Sequence, residues 1–195
     1  NRQIETSIWS DPQQTQLLAH TENVFAPTGL RLAKKNLLTG KENWFLYDGM
    51  DVIDEYERDT EAGDALGDLT LRASYANGLG LDERIAKYSK DGGANQFRWT
   101  YNVTDHLGSI RQVRDSKGNK VVGYQTDAWG WEYDVNPPAK ADTERYGFTG
   151  REKEDEYTDP QTGVNEGPLY FRARMYDPRI GRFLSKDPLL SNRPL

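Results

Sequence analysis

The sequence contains no cysteine, so a disulfide framework and a thiolate-based site are both excluded. It contains only two histidines, His20 and His106, which lie far apart and show no spacing typical of a metal site. We therefore expect neither a bound metal ion nor a cofactor. No apolar run approaches the roughly 20 residues that a membrane-spanning helix needs, so we expect no membrane span in this segment.

Clustered positive charge is also missing. The formal net charge is −6, and lysines and arginines form no continuous run. Because binding to phosphates requires a clustered basic surface, we expect nucleic acid not to be the main partner. The 195 residues fit one domain or a fragment of a larger protein, and residue 1 is Asn, so we expect this not to be the natural start of translation.

Aromatic residues and glycine are abundant, whereas hydrophobic residues as a whole are scarce. Aromatics make up 11 % of the chain, hydrophobic residues 35 %, and there are 18 glycines. This balance favours strands and tight turns over helices, and a disordered chain would lack the aromatics. We therefore predict an all-β fold of consecutive antiparallel hairpins in a curved sheet with little helix.

A β-hairpin is predicted where residues 44–47 and 52–56 flank the turn dipeptide Asp48-Gly49. Further strands are predicted at 70–75, 84–88, 97–103, 109–114, 120–126, 145–148 and 169–176. A short helical turn is predicted at 13–19, and loops near 57–67, 135–144 and 152–167. The acidic stretch 152–156 is expected to be solvated.

Alternation within two of these strands predicts which side chains share a face. In the first strand these are Phe97, Trp99, Tyr101 and Val103; in the second they are Tyr170, Arg172, Arg174 and Tyr176. We predict that Trp99 and Phe171 are buried. Replacing either by alanine would then lower stability by about 3–5 kcal/mol.

A loose unit of a strand with Tyr, then Asp, then Gly and another strand recurs along the chain. Copies occur at 46–49, 126–130 and 175–178, with Gly181 following the third. Repeated hairpins of this kind indicate a repeat architecture, in which neighbouring units bury surfaces that one unit cannot bury alone.

Two stretches, 101–130 and 146–188, resemble the Rhs-repeat-associated core domain, and the hairpin at 44–56 resembles the YD repeats that precede it. The residues that carry the resemblance are Asp105, His106, Leu107, Gly108, Ser109, Tyr176, Pro178, Gly181, Arg182, Phe183 and Pro188. The resemblance implies a long β-sheet that spirals into a hollow shell around a passenger polypeptide. In bacterial members, which are commonly exported toxins, the core domain plugs one end of the shell.

The resemblance implies three segments: a weakly patterned 1–40, YD-repeat hairpins at 41–135, and the C-terminal part of the core domain with its Asp-Pro block at 136–195. The expected partners are the rest of the shell and an enclosed C-terminal toxin. The expected location is outside a bacterial cell after export, with cell-surface association as an alternative. After residue 189 the chain departs from the family, whose second cleavage motif, Asp-Pro-x-Gly-Leu, is absent.

Asp177 and Asp187 raise the question of catalysis. The resemblance implies an aspartyl autoprotease in many members, and two close carboxylates can divide acid and base roles, with Arg174 as a supporting group. However, each aspartate precedes a proline, and Asp-Pro pairs are ordinary turn formers. Because the second cleavage motif is missing, we favour a structural shell segment. An autoprotease core and a cell-surface binding module that uses the aromatic face are the alternatives.

Asp105, His106 and Ser109 also contain the residue types of a catalytic triad. Triad members usually come from separate segments of the chain, whereas these three lie within five positions of a predicted turn. We therefore favour turn chemistry, in which the Asp105 side chain caps backbone N–H groups.

Overall fold

The computed structural model describes residues 5–9, 13, 16–60, 63, 68–90, 96–136, 144–154, 157–159 and 162–188. The first sheet is built from β1 (Glu5–Trp9), β2 (Leu17–Phe25), β3 (Arg31–Asn36), β4 (Lys41–Asp48), β5 (Asp51–Asp59), β6 (Thr70–Asn77), β7 (Arg84–Lys90), β8 (Phe97–Thr104), β9 (Ile110–Asp115), β10 (Lys120–Thr126) and β11 (Glu132–Asn136). The second sheet is built from β12 (Glu152–Lys153), β13 (Leu169–Phe171), β14 (Arg174–Asp177) and β15 (Arg182–Phe183).

Strand order equals chain order in both sheets, which have eleven and four strands. Each strand hydrogen-bonds to the next, as expected when short turns join antiparallel neighbours. The described helix content is a 3₁₀ turn at Phe148–Gly150 and one further 3₁₀ residue, Tyr157. The predicted all-β fold of consecutive hairpins is confirmed. No helix in the described ranges is both long and apolar enough to cross a membrane.

The chain divides into two compact units, Arg2–Ser74 and Tyr75–Leu195. In the first unit, buried charged groups lie beside small apolar residues. Arg31 is 1 % exposed, its guanidinium lies 5.7 Å from the ring centre of Phe45, and its Nη1 donates to Asn23. Arg58 and Trp44 both donate to the Glu42 carboxylate. Polar and cation–π contacts therefore contribute to a core that has few aliphatic residues.

In the second unit, the core is formed by inward-facing residues of β7 and β9–β11 and by Tyr146. Its apolar members on the strands are Ala86, Ile110, Val113, Val122, Tyr124 and Val135. Each is buried. In β10 the buried residues alternate with more exposed neighbours, as in a half-buried strand, whereas in β9 and β11 the buried positions lie three residues apart.

The N-terminal part of the chain differs from its prediction. Residues 17–19, predicted to lie in a helical turn, belong to strand β2. Strands β1, β2 and β3 pair through a region in which no strand was predicted. Pairing with neighbouring strands overrides the weak helical preference of a polar segment rich in Gln and Leu.

The strand predicted at 169–176 is in fact the hairpin of β13 and β14. Phe171 pairs with Arg174, so Arg172 and Ala173 form a two-residue turn. Arg172 has a φ of +57°, which is uncommon for a residue with a side chain, and no glycine or asparagine signals the turn. The prediction that Arg172 and Arg174 share one face of a single strand is therefore wrong.

Two other local predictions are also wrong, and a third is tested only at its first residues. The strand predicted at 145–148 is a single bridge between Tyr146 and Glu152, followed by the 3₁₀ turn. Residues 135 and 136 of the loop predicted at 135–144 belong to strand β11. Residues 137–143 lie outside the described residues. In the loop predicted at 152–167, Glu152, Lys153 and Glu154 are buried rather than solvated. Lys153 pairs with Glu132 of the first sheet, and Glu152 pairs with Arg145.

The aromatic face of β8 is more open than predicted. Trp99 is 41 % exposed, Tyr101 is 43 % exposed and Phe171 is half-buried, so the predicted burial of Trp99 and Phe171 is wrong. Trp99 and Phe97 pack against Tyr88 of β7, with ring centres 5.2 and 5.1 Å apart. Period-two alternation identifies a shared face, but it does not say whether another layer covers that face.

Candidate functional site

The turns of an antiparallel meander alternate between the two ends of its sheet. The turns that join β6 to β7, β8 to β9 and β10 to β11 therefore lie at one end of the sheet. Four residues in or beside these turns form the contacts described below: Asp82, Ser109, Trp129 and Gly130. The described residues 144–154, 157–159 and 162–188, which we call the C-terminal cap, contact all three turns.

At the first turn, two cap arginines bind the buried carboxylate of Asp82. Nη1 of Arg151 lies 2.9 Å from one carboxylate oxygen and Nη2 of Arg172 lies 2.6 Å from the other. Gly150 also packs here, because a Cβ at that position would lie 2.5 Å from the carbonyl oxygen of Asp82. The hairpin turn with the unusual Arg172 backbone thus places a guanidinium on the end of the sheet.

At the second and third turns, the contacts are hydrogen bonds and ring packing. The backbone N–H of Thr149 donates to the Ser109 hydroxyl at 3.0 Å, and the N–H of Ile110 donates to the carbonyl of Gly147 at 3.1 Å. The hydroxyl of Tyr176 donates to the carbonyl of Trp129 at 2.9 Å. The C-terminal cap is therefore attached to three successive turns at one end of the sheet.

Behind these turns, buried ion pairs support the cap. Lys153 lies 3.0 Å from Glu132 of β11, and Lys87 of β7 lies 3.6 Å from Glu144. Within the cap, Arg145 lies 2.9 Å from Glu152. All six side chains are at most 8 % exposed. Removing one charge from such a pair leaves the other buried and uncompensated, so these pairs make the cap sensitive to single substitutions.

Arg84 of β7 connects the sheet to the cap through aromatic rings. Its guanidinium lies 3.5 Å from the ring centre of Tyr146 and 5.2 Å from that of Tyr75. Burial opposes the positive charge of Arg84, but interactions with Tyr146, Tyr75 and Glu144 outweigh it, so the pKa of Arg84 is raised. The arginine therefore stays charged at every physiological pH.

The group at 105–109 forms a turn. Oδ1 of Asp105 accepts the backbone N–H groups of Leu107 and Ser109 at 2.9 Å, and Oδ2 accepts Nε of Arg111 at 2.8 Å. Partial burial would raise the pKa of Asp105, but these hydrogen bonds lower it below its ordinary value. His106, Leu107 and Gly108 lie at the turn, where His106 and Leu107 are exposed. The geometry is that of an Asx turn.

The same turn occurs three times in the second unit. Asp115 accepts the N–H groups of Lys117 and Asn119, and Asp127 accepts those of Trp129 and Trp131, so each aspartate bonds positions two and four residues ahead. The spacing Asp-x-x-Gly at 105–108, 115–118 and 127–130 is the sequence signal for it.

The two candidate catalytic aspartates each bind a different arginine. Asp177 is buried and accepts hydrogen bonds from the backbone N–H and the side chain of Arg179; the side-chain bonds are the main reason that the pKa of Asp177 is lowered. Asp187 lies 3.2 Å from Nη2 of Arg174, whose guanidinium lies 3.7 Å from the ring centre of Phe183. The structure thus joins Arg174 to Asp187, as the catalytic hypothesis assumed.

The remaining residues of the Asp-Pro block shape the end of the cap. Pro178 is buried, Gly181 packs against the Trp129 ring, and Tyr176 stacks on Phe148 with ring centres 6.4 Å apart. Arg182 is exposed and Pro188 is half-buried. Among the described residues, no group of three or more histidine, aspartate or glutamate side chains is arranged to hold a metal ion.

The buried charges of the cap were missed at the level of sequence. Their only signal is the density of opposite charges at 144–145 and 151–154, and that pattern is also typical of a solvated loop. Burial of Glu132, Glu144, Glu152 and Lys153 depends on the return of the chain to the sheet, which local sequence does not encode.

Comparison with known proteins indicates a toxin context. No family model matches the chain. It is 30 % identical over 152 residues to the tRNA nuclease WapA of Bacillus subtilis strain 168, covering 77 % of this chain and 6 % of that protein. It is 24 % identical over an alignment of 206 residues to the double-stranded DNA deaminase toxin A of Burkholderia cenocepacia strain H111, covering 92 % of this chain and 13 % of that protein.

Solved structures with the same fold belong to toxin assemblies. The crystal structure of TcdB2-TccC3-TEV matches with a TM-score of 0.65 and 16 % identity, over 95 % of this chain and 8 % of that one. The Tc holotoxin pore of Photorhabdus luminescens matches with a TM-score of 0.59 and 14 % identity, over 95 % of this chain and 9 % of that one. The chain has a toxin-associated, Rhs-like fold. It spans only a small part of the length of each of these proteins.

Proposed function

We propose that this chain is a structural segment of an Rhs-type β-shell that encloses a C-terminal passenger toxin, and that its C-terminal cap closes one end of that shell. The observation that carries the proposal is the attachment of the cap to three successive turns, through Asp82, Ser109 and Trp129. A segment attached across one end of a sheet is suited to close that end as a plug, because it contacts the turns there.

The organisation and location of the protein follow from this proposal. Hairpins within 41–135 form the wall, residues 136–195 form the closing segment, and 1–40 lead into the wall. Its partners are the remaining shell and the enclosed passenger. The protein acts after export from a bacterium, in competition between cells. The small share of each toxin relative that the chain covers, 6 % and 13 %, supports its role as one part of a longer machine.

Limited proteolysis of the protein purified from its own host tests enclosure. We expect the native polypeptide to extend far upstream by intact mass, and a passenger region to resist a protease until the shell is unfolded. Gly150→Ala should expose the passenger, because its Cβ would collide with the carbonyl of Asp82 and displace the cap.

Gly118→Ala is the matched control. Gly118 has a φ of +83° and Gly150 one of +68°, so both substitutions carry the backbone strain of a left-handed residue. Of the two glycines, only Gly150 packs against the end of the sheet that the cap contacts. A Cβ at Gly118 would have no atom within 4 Å. A passenger digested at the same rate in the unmodified protein and the Gly150→Ala variant would overturn the enclosure proposal.

Autoproteolysis by Asp177 and Asp187, with Arg174 in support, is a second proposal. The contact between Arg174 and Asp187 favours it, because it places a guanidinium beside one of the two carboxylates. An acid–base pair needs one carboxyl that keeps its proton, and the lowered pKa of Asp177 makes that residue unsuited to be the acid. If Asp187→Asn converts two fragments into one in the intact mass, the aspartates are catalytic; an unchanged mass rejects this function and leaves enclosure untouched.

A further inference from the structure

Strand β15 is an open edge of the second sheet. The strand order ends with β15, which pairs with β14 and, within the described part of the chain, with no other strand. Residues 182–186 are all exposed. Phe183 nevertheless fixes the strand in place, because its ring packs against Phe171 and Tyr176 with ring centres 5.4 and 5.5 Å apart. The edge is therefore both accessible and ordered by its packing.

The hydrogen-bond parity of β15 shows which backbone groups face outward. The N–H of Leu184 donates to the carbonyl of Met175 at 2.8 Å, so the main-chain groups of Leu184 face β14. Main-chain groups alternate sides along an antiparallel strand, and the N–H and C=O of Phe183 consequently point to the open edge. Such outward groups are a template to which an extended peptide can add as a further strand.

The charged side chains beside β15 indicate which kind of strand can pair with this edge. Between Asp177 and Asp187 there are three cations, Arg179, Arg182 and Lys186, and no acidic residue. Arg179 is bound by Asp177, whereas Arg182 and Lys186 make no ion pair among the described residues. Like charges directly opposite each other destabilise strand pairs, so a second copy of this edge is disfavoured and an acidic strand is favoured.

We propose that the edge of β15 binds an extended acidic peptide segment by strand addition. The outward N–H and C=O of Phe183 would supply the backbone hydrogen bonds, and Arg182 and Lys186 would pair with its carboxylates. The exposed side chains of Ile180 and Leu184, 60 % and 54 % exposed, would cover apolar positions of the same segment. This interaction surface is additional to the shell role and does not depend on an enclosed passenger.

The test measures binding of a fluorescent, acetylated peptide of alternating glutamate and valine, about eight residues long, to the 195-residue chain by anisotropy. A second peptide has the same sequence but carries N-methyl groups on alternate amides, which removes donors while leaving every charge in place. A third peptide replaces glutamate with lysine. We expect the first to bind and the other two to bind at least about tenfold more weakly.

Two variants assign the binding to β15. Arg182→Glu combined with Lys186→Glu should weaken binding at least about tenfold. The control is Lys117→Glu combined with Lys120→Glu, which makes the same change of charge at exposed positions around another turn and should have little effect.

Several outcomes would overturn the proposal. Equal binding of the N-methylated peptide would mean attraction by charge without strand addition. Equal loss of binding in the control variant would place the peptide elsewhere, and no binding by the first peptide would reject the site. If sedimentation shows a dimer of the chain that the first peptide dissociates, the occupant of the edge is a second copy rather than an acidic partner.

Discussion

Tyr146 and Trp99 are both aromatic residues that contact other rings, but they differ in how deeply they are buried. Tyr146 is 3 % exposed, lies under the Arg84 guanidinium and meets Tyr75 edge-on at 5.2 Å. Trp99 is 41 % exposed and contacts Tyr88 on one side only. At the scale of residues, contact with the cap therefore determines burial more than alternation along a strand does.

Alanine substitutions at these two positions should have unequal effects. Tyr146→Ala should lower the free energy of unfolding by about 3–5 kcal/mol, because it leaves a cavity and exposes the buried Arg84. Trp99→Ala should lower it by about 0.5–1.5 kcal/mol, the value of a partly exposed aromatic pair. Urea denaturation followed by circular dichroism measures both. Similar losses for the two variants would show that the β8 face is covered after all.

At the scale of elements, the β13–β14 hairpin combines backbone strain with an ion pair. Arg172 occupies the left-handed region and its guanidinium binds Asp82. Arg172→Ala loses the ion pair and keeps the strain, whereas Arg172→Gly loses the ion pair and relieves the strain. We expect the glycine variant to be about 1 kcal/mol more stable than the alanine variant in urea denaturation. An alanine variant as stable as the glycine variant would contradict the left-handed turn.

The buried ion pairs of the cap lead to a second prediction for an element. Glu152→Ala leaves the buried guanidinium of Arg145 without its charged partner and should cost about 3–5 kcal/mol. Arg145→Met combined with Glu152→Leu removes both charges and should recover most of that loss. Hydrogen exchange is the second readout: amides of β12–β14 should exchange faster in the single variant, with β8–β10 less affected. If the loss of stability in the double variant equalled the sum of the losses caused by its two single changes, the pairing of Arg145 with Glu152 would be contradicted.

Turns and hairpins could be predicted where their chemistry is local. The hairpin at Asp48-Gly49 and the β9–β10 hairpin require only a glycine, an aspartate and alternating neighbours, and both hairpins are present. The first turn lies one residue later than predicted, at Gly49 and Met50, because Asp48 still pairs with Asp51. The turn at Arg172 has no such cue, because distant Asp82 stabilises it. Burial of Glu152 and Lys153 likewise depends on contacts between segments far apart in sequence. Catalysis by Asp177 and Asp187 was a resemblance-based hypothesis and stays a prediction.

At the scale of the whole molecule, the composition was sufficient for the fold class. Aromatics, glycine and few aliphatics predicted an all-β chain, and the order β1–β11 follows directly from short connections between hairpins. The weakly patterned N-terminus was underestimated, since strands β1–β3 bury polar groups such as Thr21 and Lys34 and carry little apolar alternation. A repeat architecture needs less core per hairpin than an isolated domain, and its sequence pattern is correspondingly faint.

Acid should destabilise the whole molecule through its turn aspartates. The pKa of Asp105 is lowered by hydrogen bonds that outweigh burial, and the pKa of Asp177 is lowered mainly by Arg179. A pKa that is lower in the folded state than the unfolded value of about 3.9 means that protons bind the unfolded chain first. The stabilisation is therefore fully present above about pH 4 and is lost as the pH falls through the folded pKa values.

We expect the free energy of unfolding to change little between about pH 5 and 7 and to decline below about pH 4. Urea denaturation across this range measures the decline. Asp105→Asn combined with Asp177→Asn should be less stable at neutral pH but should show a shallower decline, because neither amide can take up a proton. Asn36→Ala is the control, because it removes a side chain that accepts the N–H groups of Leu38 and Thr39 in another turn and leaves every titrating group in place. If the double variant declines as steeply as the unmodified chain, the acid sensitivity comes from other carboxylates and the turn aspartates are not its source.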